Sequence, residues 1–143
     1  MEKIRLGRTN LRVGRTGFGA IPIQRISFDE AKALLRKAYD HGVNFFDTAR
    51  GYTNSEEKIG YALKDVRDNI IIATKSPSRD KQGVLQDIDT SLNKLQTDCI
   101  DILQVHNPPF VPVPGGEDGI YDALLGAKQQ GKIRFIGFTN HRL

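Results

Sequence analysis

The chain has 143 residues, 38% hydrophobic and 27% charged, with 14 glycines and 6 prolines scattered along it. That length and balance predict one soluble globular domain with a real core and exclude a disordered or fibrous chain. The net charge of +4, from 21 basic and 17 acidic residues without a run of one sign, leaves no basic stripe for nucleic acid, and no apolar run nears the roughly 20 residues that cross a bilayer.

In chain order, "KIRL" and "LRV" around the turn "GRTN" predict a small amino-terminal β-hairpin. Short apolar, β-branched runs then alternate with longer segments of helical period, the signature of βα units laid into a parallel sheet. The strands are "TGFGAI", "VNFFDTA", "NIIIATKS", "CIDILQVHN" and "IRFIGFTN", and the helices between them cover about 27–41, 55–66, 81–96 and 119–131. The first helix opens on a capping box, Ser27 with Glu30, and closes on "DHG", where His41 suits the negative end and Gly42 the left-handed cap. Before the second helix Asn54 and Ser55 read as the cap, with Glu56 and Glu57 in the first turn. In the third, Val84, Ile88, Leu92 and Leu95 form one apolar stripe, and the Lys, Asp and Gln of the outward faces read as solvated surface. The loop "NPPFVPVPGGEDG" at 107–119 holds four of the six prolines and reads as an ordered surface loop.

The lone Cys99 forms no intrachain disulfide and reads as a small buried residue opening its strand, consistent with a reducing compartment. The amino terminus "MEKIRLGRTN" lacks a secretory pattern, so a cytoplasmic location is expected.

Polar residues stand at successive strand ends: Asp47, Lys75, His106, then Thr139 with Asn140. In parallel α/β folds this edge binds ligands, because the βα loops vary while the strands beneath stay rigid. A single such charge is more often a solvated loop residue, but four ionisable or polar strand ends together argue for a site. Tyr52 fits either a catalytic phenol or a loop aromatic packed on the second helix, and Asp47 either a catalytic carboxylate or a turn cap. Asp47 and His106 without a third ligand make a poor metal site, so no metal is expected.

The segments "FFDTARGY", "IIATKS", "IDILQVHNP" and "IGFTN", in this order, resemble the aldo-keto reductases. That resemblance implies a partial (β/α)8 TIM barrel of five parallel strands and four helices behind the hairpin. It implies a catalytic quartet of Asp47, Tyr52, Lys75 and His106, in which Tyr52 donates a proton, Lys75 and Asp47 are its electrostatic partners and His106 orients the substrate carbonyl. It also implies NADPH (NADP) as cofactor, contacted by Gly19, Ala20, Asp47, Thr139 and Asn140, and a small carbonyl compound as substrate. The family commonly has serine at the position of Thr139, and threonine keeps the hydroxyl. "GFGAIP" is not a dinucleotide fingerprint, since it lacks a third glycine and a helix directly after it. The chemistry is coherent with these roles: hydride arrival at a carbonyl carbon builds charge on oxygen, which needs a proton donor and hydrogen-bond donors.

A barrel of this kind has eight strands in about 250 residues, so residues 1–143 are expected to be its amino-terminal half. The segments that in the family grip the pyrophosphate and 2′-phosphate follow strands seven and eight, so full activity is expected to need residues beyond these 143. The end strands are then open, and Phe45, Ile71 and Leu103 are expected to face inward without an opposite wall, which favours self-association through the open face. The alternative to a reductase is a truncated or non-catalytic half-barrel that associates through that face.

Overall fold

The structure, a computed structural model, describes residues 1–141. Strands β1 (Lys3–Arg5) and β2 (Arg12–Gly14) pair antiparallel, Lys3 opposite Gly14. Their connection is not the tight turn expected: Gly7–Thr9 form a 3₁₀ turn, closed by the Thr9 hydroxyl donating to the Leu6 carbonyl at 2.6 Å and by Asn10 at φ 59°.

The remaining strands, β3 (Phe18–Gly19), β4 (Phe45–Asp47), β5 (Ile71–Ser76), β6 (Ile100–Val105) and β7 (Ile133–Phe138), form one sheet in sequence order, every neighbour parallel. β3 is shorter than the run "TGFGAI", because Ile21 is already in the right-handed helical region and Pro22 opens a 3₁₀ turn to Arg25. Four helices cross over between the strands: α1 (Phe28–Asp40), α2 (Ser55–Leu63), α3 (Lys81–Leu95) and α4 (Ile120–Gln129).

The α1 ends are as the residues dictate. The Glu30 N–H donates to Ser27 Oγ at 3.2 Å and the Ser27 N–H to the Glu30 carboxylate at 2.8 Å; Gly42 follows the helix at φ 91°. At α2 the expectation fails. Asn54 occupies the cap position without a side-chain capping bond, and Ser55 turns inward, its hydroxyl donating to the Ala20 carbonyl at 3.1 Å and accepting from Thr48 at 2.8 Å.

Two apolar layers follow from the alternation of side chains along a strand. Phe46, Ile72, Leu103 and Val105 face the helices and pack on Leu35, Ile59, Ile88 and Leu124. On the other face the hairpin lays Leu11 and Val13 over Ile71, beside Phe45, Ile102 and Phe135. Leu103 therefore does not share the inner face with Phe45 and Ile71; it is fully buried beneath the helices, and its neighbours Ile102 and Gln104 point inward instead. The hairpin is the partial wall that leaves Ile71 only 7% exposed. Cys99 is half-buried and precedes β6 rather than opening it. No helix among the described residues is long and apolar enough to cross a membrane.

At the amino ends of the strands, Asp101 is buried at 2% exposure and accepts from Arg67 at 2.6 Å and Arg134 at 2.7 Å, tying β6 to the segment before β5 and to β7. The arrangement is structural, since the Arg67 guanidinium also donates to Thr97 and to the carbonyls of Ile70 and Cys99. The opposite, carboxyl ends carry a different kind of chemistry.

Candidate active site

Asp47 ends β4 and pairs in register with Gly19 of β3 and Ala73 of β5, while Lys75 pairs with Gln104 of β6. Asp47, Lys75 and Gln104 all point to the inner face. The Lys75 ammonium, only 6% exposed, donates to Asp47 Oδ2 at 2.6 Å and to the Thr48 carbonyl at 2.7 Å. The other Asp47 oxygen accepts from the Gln104 amide at 3.4 Å. A buried ammonium needs such partners, because removing it from water without an opposite charge is costly. Asp47 therefore serves Lys75 and not a turn.

Tyr52 returns to this pair from the β4–α2 loop. The Arg50 N–H donates to the Lys75 carbonyl at 3.0 Å, the Tyr52 N–H to Ala49 at 3.0 Å, and the Ser55 N–H to the Tyr52 carbonyl at 2.8 Å. This tight folding brings the Tyr52 ring over Lys75, its centroid 5.2 Å from the ammonium. The His106 ring meets the Tyr52 ring edge-on, centroids 5.8 Å apart at 82°. The four residues expected to act together are thus side by side at one mouth of the sheet, and Tyr52 packs there rather than on α2.

Burial, and then the positive charge of Lys75, holds the His106 imidazole below its ordinary pKa. It is neutral at pH 7, with one ring nitrogen available as a donor and the other as an acceptor. Its backbone is fixed from both sides: its N–H donates to the Ser76 carbonyl at 2.8 Å, and Arg79 donates to its carbonyl at 2.8 Å.

The positions expected to touch a dinucleotide divide in two. A Cβ placed on Gly19 would meet nothing within 4 Å, so the wall beside Asp47 is open there. Thr139 caps β7: its N–H donates to the Val105 carbonyl and its Oγ accepts from the Asn107 N–H, each at 3.0 Å. Asn140 is exposed and lines a cavity of about 130 Å³ with Asn107, Pro108 and Pro109. Ala20 differs. Its methyl is fully buried, its N–H donates to the Asp47 carbonyl at 2.8 Å and its carbonyl accepts from Ser55, so it shapes the wall from behind.

Behind the site lies a polar layer that charge alone did not reveal. Glu56, 1% exposed, accepts from Thr74 at 2.6 Å and Ser91 at 2.7 Å and pairs with Arg50. Asp87 accepts from Ser76 and, at 2.7 Å, from Ser78. Lys58, also 1% exposed, is caged by the carbonyls of Ile23 at 2.8 Å, Ile26 at 2.6 Å and Gln24 at 3.4 Å. The outward charges of these helices are therefore not all solvated surface. A signal existed: Ser55 and Glu56 precede Ile59 by four and three residues, which puts them on the buried stripe of α2.

The sequence profile described as "Aldo/keto reductase family" matches residues 10–143. The chain is 40% identical over 150 residues to L-galactose dehydrogenase of Arabidopsis thaliana, covering 94% of this chain and 47% of that protein. It is 33% identical to aldo-keto reductase YhdN of Bacillus subtilis (strain 168), covering 98% and 47%. Among solved structures, the holo form of aldo-keto reductase AKR11C1 from Bacillus halodurans superposes with a TM-score of 0.88 at 31% identity, covering 99% of this chain and 51% of that one. The chain spans about half the length of the curated relatives it matches. With the profile extending over nearly all its residues and the parallel βα half-barrel superposing on a solved reductase, the chain belongs to the aldo/keto reductase family.

Proposed function

We propose that this chain is the amino-terminal, catalytic half of an NADPH-dependent carbonyl reductase in which Tyr52 is the general acid. The observation that carries the reading is the stack at the sheet's mouth: the Lys75 ammonium held between Asp47 and the Thr48 carbonyl, beneath the Tyr52 ring, with the His106 ring against that same ring.

The reduced nicotinamide, when bound, supplies hydride to the substrate's carbonyl carbon. The residues here supply the rest. The carbonyl oxygen accepts hydrogen bonds from the Tyr52 hydroxyl and the neutral His106 ring, which meet the charge developing on it. As the C=O π pair moves onto oxygen, Tyr52 gives up its proton, and the alcohol leaves. The phenolate is balanced by Lys75 until water returns the proton, and Asp47 keeps that ammonium in place. The donor set suits a dinucleotide's carboxamide end: the Thr139 hydroxyl, having accepted from Asn107, retains its proton to donate, Asn140 follows it, and Gly19 leaves room beside Asp47. The half-buried lone thiol is consistent with a reducing, cytoplasmic setting.

NADPH fluorescence titration followed by turnover of an aldehyde panel tests this. Tyr52→Phe is expected to bind NADPH with unchanged affinity and to lose ~10²–10⁴ of kcat, the usual contribution of a positioned proton donor. Undiminished kcat in Tyr52→Phe rejects the assignment. A second reading, association through the open face, is favoured by β3 and β7 as end strands and by the partly buried Phe45, Ile102 and Phe135 on that face.

A further inference from the structure

We propose that Arg50 is a positioning residue for the catalytic pair, clamping the loop that carries Tyr52 to both sides of Lys75; the inference rests on the reductase reading above. Thr74 and Ser76 flank Lys75 on β5 and, by strand alternation, present their hydroxyls to the helices while Lys75 faces inward. Both are fully buried, and each hydroxyl ends on a carboxylate, Thr74 on Glu56 of α2 and Ser76 on Asp87 of α3.

Both carboxylates face the same guanidinium. Arg50, its side chain 17% exposed, donates to Glu56 and stands 3.9 Å from Asp87 through Nε, and its own N–H donates to the Lys75 carbonyl at 3.0 Å. The Arg50 backbone is thus tied to that of Lys75, its guanidinium meets both neighbours of Lys75 through one carboxylate each, and Tyr52 is two residues farther along the same loop. Packing alone does not account for this choice. Among the described residues Arg50 Nε is the buried side-chain polar atom left without a hydrogen-bond partner, and well-packed apolar side chains commonly replace such buried ion pairs at no loss of stability. What apolar packing does not supply is a guanidinium that hydrogen-bonds Glu56, the acceptor of the Thr74 hydroxyl, while its charge faces Asp87, the acceptor of the Ser76 hydroxyl.

Two-dimensional NOE spectra of the 143-residue chain report the Tyr52–His106 ring contact, centroids 5.8 Å apart, whether or not the chain turns over. Arg50→Gln is expected to lose this contact and, in the aldehyde assay, about tenfold or more in kcat with KM changed by less than about threefold, as for a misplaced catalytic group. Arg50→Lys, which keeps a charge for Glu56, is expected to retain a weakened contact and part of kcat. Because Arg50→Gln orphans the buried Glu56, the double variant Arg50→Met/Glu56→Gln supplies a form without that liability, and the same losses are expected in it. A purely structural Arg50 would lower the melting temperature yet leave the ring contact and kcat of the folded fraction intact, and that result in either neutral variant overturns the proposal. Should both neutral variants unfold, an undiminished contact in Arg50→Lys overturns it. If Tyr52→Phe leaves turnover undiminished, the reductase reading fails separately, and the NOE comparison still decides the role of Arg50.

Discussion

His106 shows how a residue's chemistry is set by what surrounds it. Burial and the Lys75 charge both disfavour its imidazolium, so its folded pKa lies below the unfolded value of ~6.5. Between the two values the unfolded chain binds more protons. Stability is therefore undiminished above the unfolded pKa, falls as pH drops through it, and stops falling below the folded value. An NMR titration is expected to place His106 below ~6.5, and Lys75→Met to move it upward by removing the second cause; a value at or above the ordinary one contradicts the geometry. The gathering of Asp47, Lys75 and His106 at one edge was legible in sequence because each stands where a strand ends, whereas Tyr52, open between two roles by its position, joined them only through the resemblance. Glu56 and Lys58 were not legible, because charge on a helix ordinarily signals solvent, whereas here serine and threonine hydroxyls and loop carbonyls solvate them inside.

At the scale of elements, α2 is the pivot. It carries Glu56 toward β5, Lys58 toward the turn after β3, and Gly60 toward α3. A Cβ on Gly60 would lie 2.5 Å from the Lys94 carbonyl oxygen and 2.8 Å from that of Leu95, so the two helices meet backbone to backbone. Gly60→Ala, although it improves helix propensity, is expected to destabilise by ~1–3 kcal/mol through overpacking. A lowered urea midpoint at unchanged slope is the expected readout, and a raised midpoint would show that the helices separate freely. The hydrophobic periods located all four helices and the five parallel strands, and the barrel resemblance implied their sequential order. They missed the 3₁₀ connection of the hairpin and the brevity of β3, since both depend on single residues, left-handed Asn10 and helical Ile21 before Pro22, rather than on a repeating pattern. Leu103 was assigned to the wrong face for a related reason: "IDILQV" is apolar at positions of both parities, and only the neighbours decide which side is inside.

At the scale of the whole molecule, five parallel strands place the quartet at one mouth and the Arg67–Asp101–Arg134 cluster at the other, with the hairpin covering part of the inner face. The second reading, association of the 143-residue chain, rests on the end strands and on the partly buried Phe45, Ile102 and Phe135. Sedimentation of the 143-residue chain is expected to show a mass that rises with concentration, and Phe135→Lys, at a partly buried side chain of that face, to weaken it; a monomer at every concentration contradicts the association. The central claim, that Asp47, Tyr52, Lys75 and His106 perform carbonyl reduction, is tested most directly by isotope transfer. With NADPH deuterated at the transferring position and an aldehyde as acceptor, mass spectrometry of the alcohol is expected to find deuterium on the former carbonyl carbon at a rate that Tyr52→Phe lowers by ~10²-fold or more. An alcohol without deuterium, or equal rates in the two proteins, would contradict it.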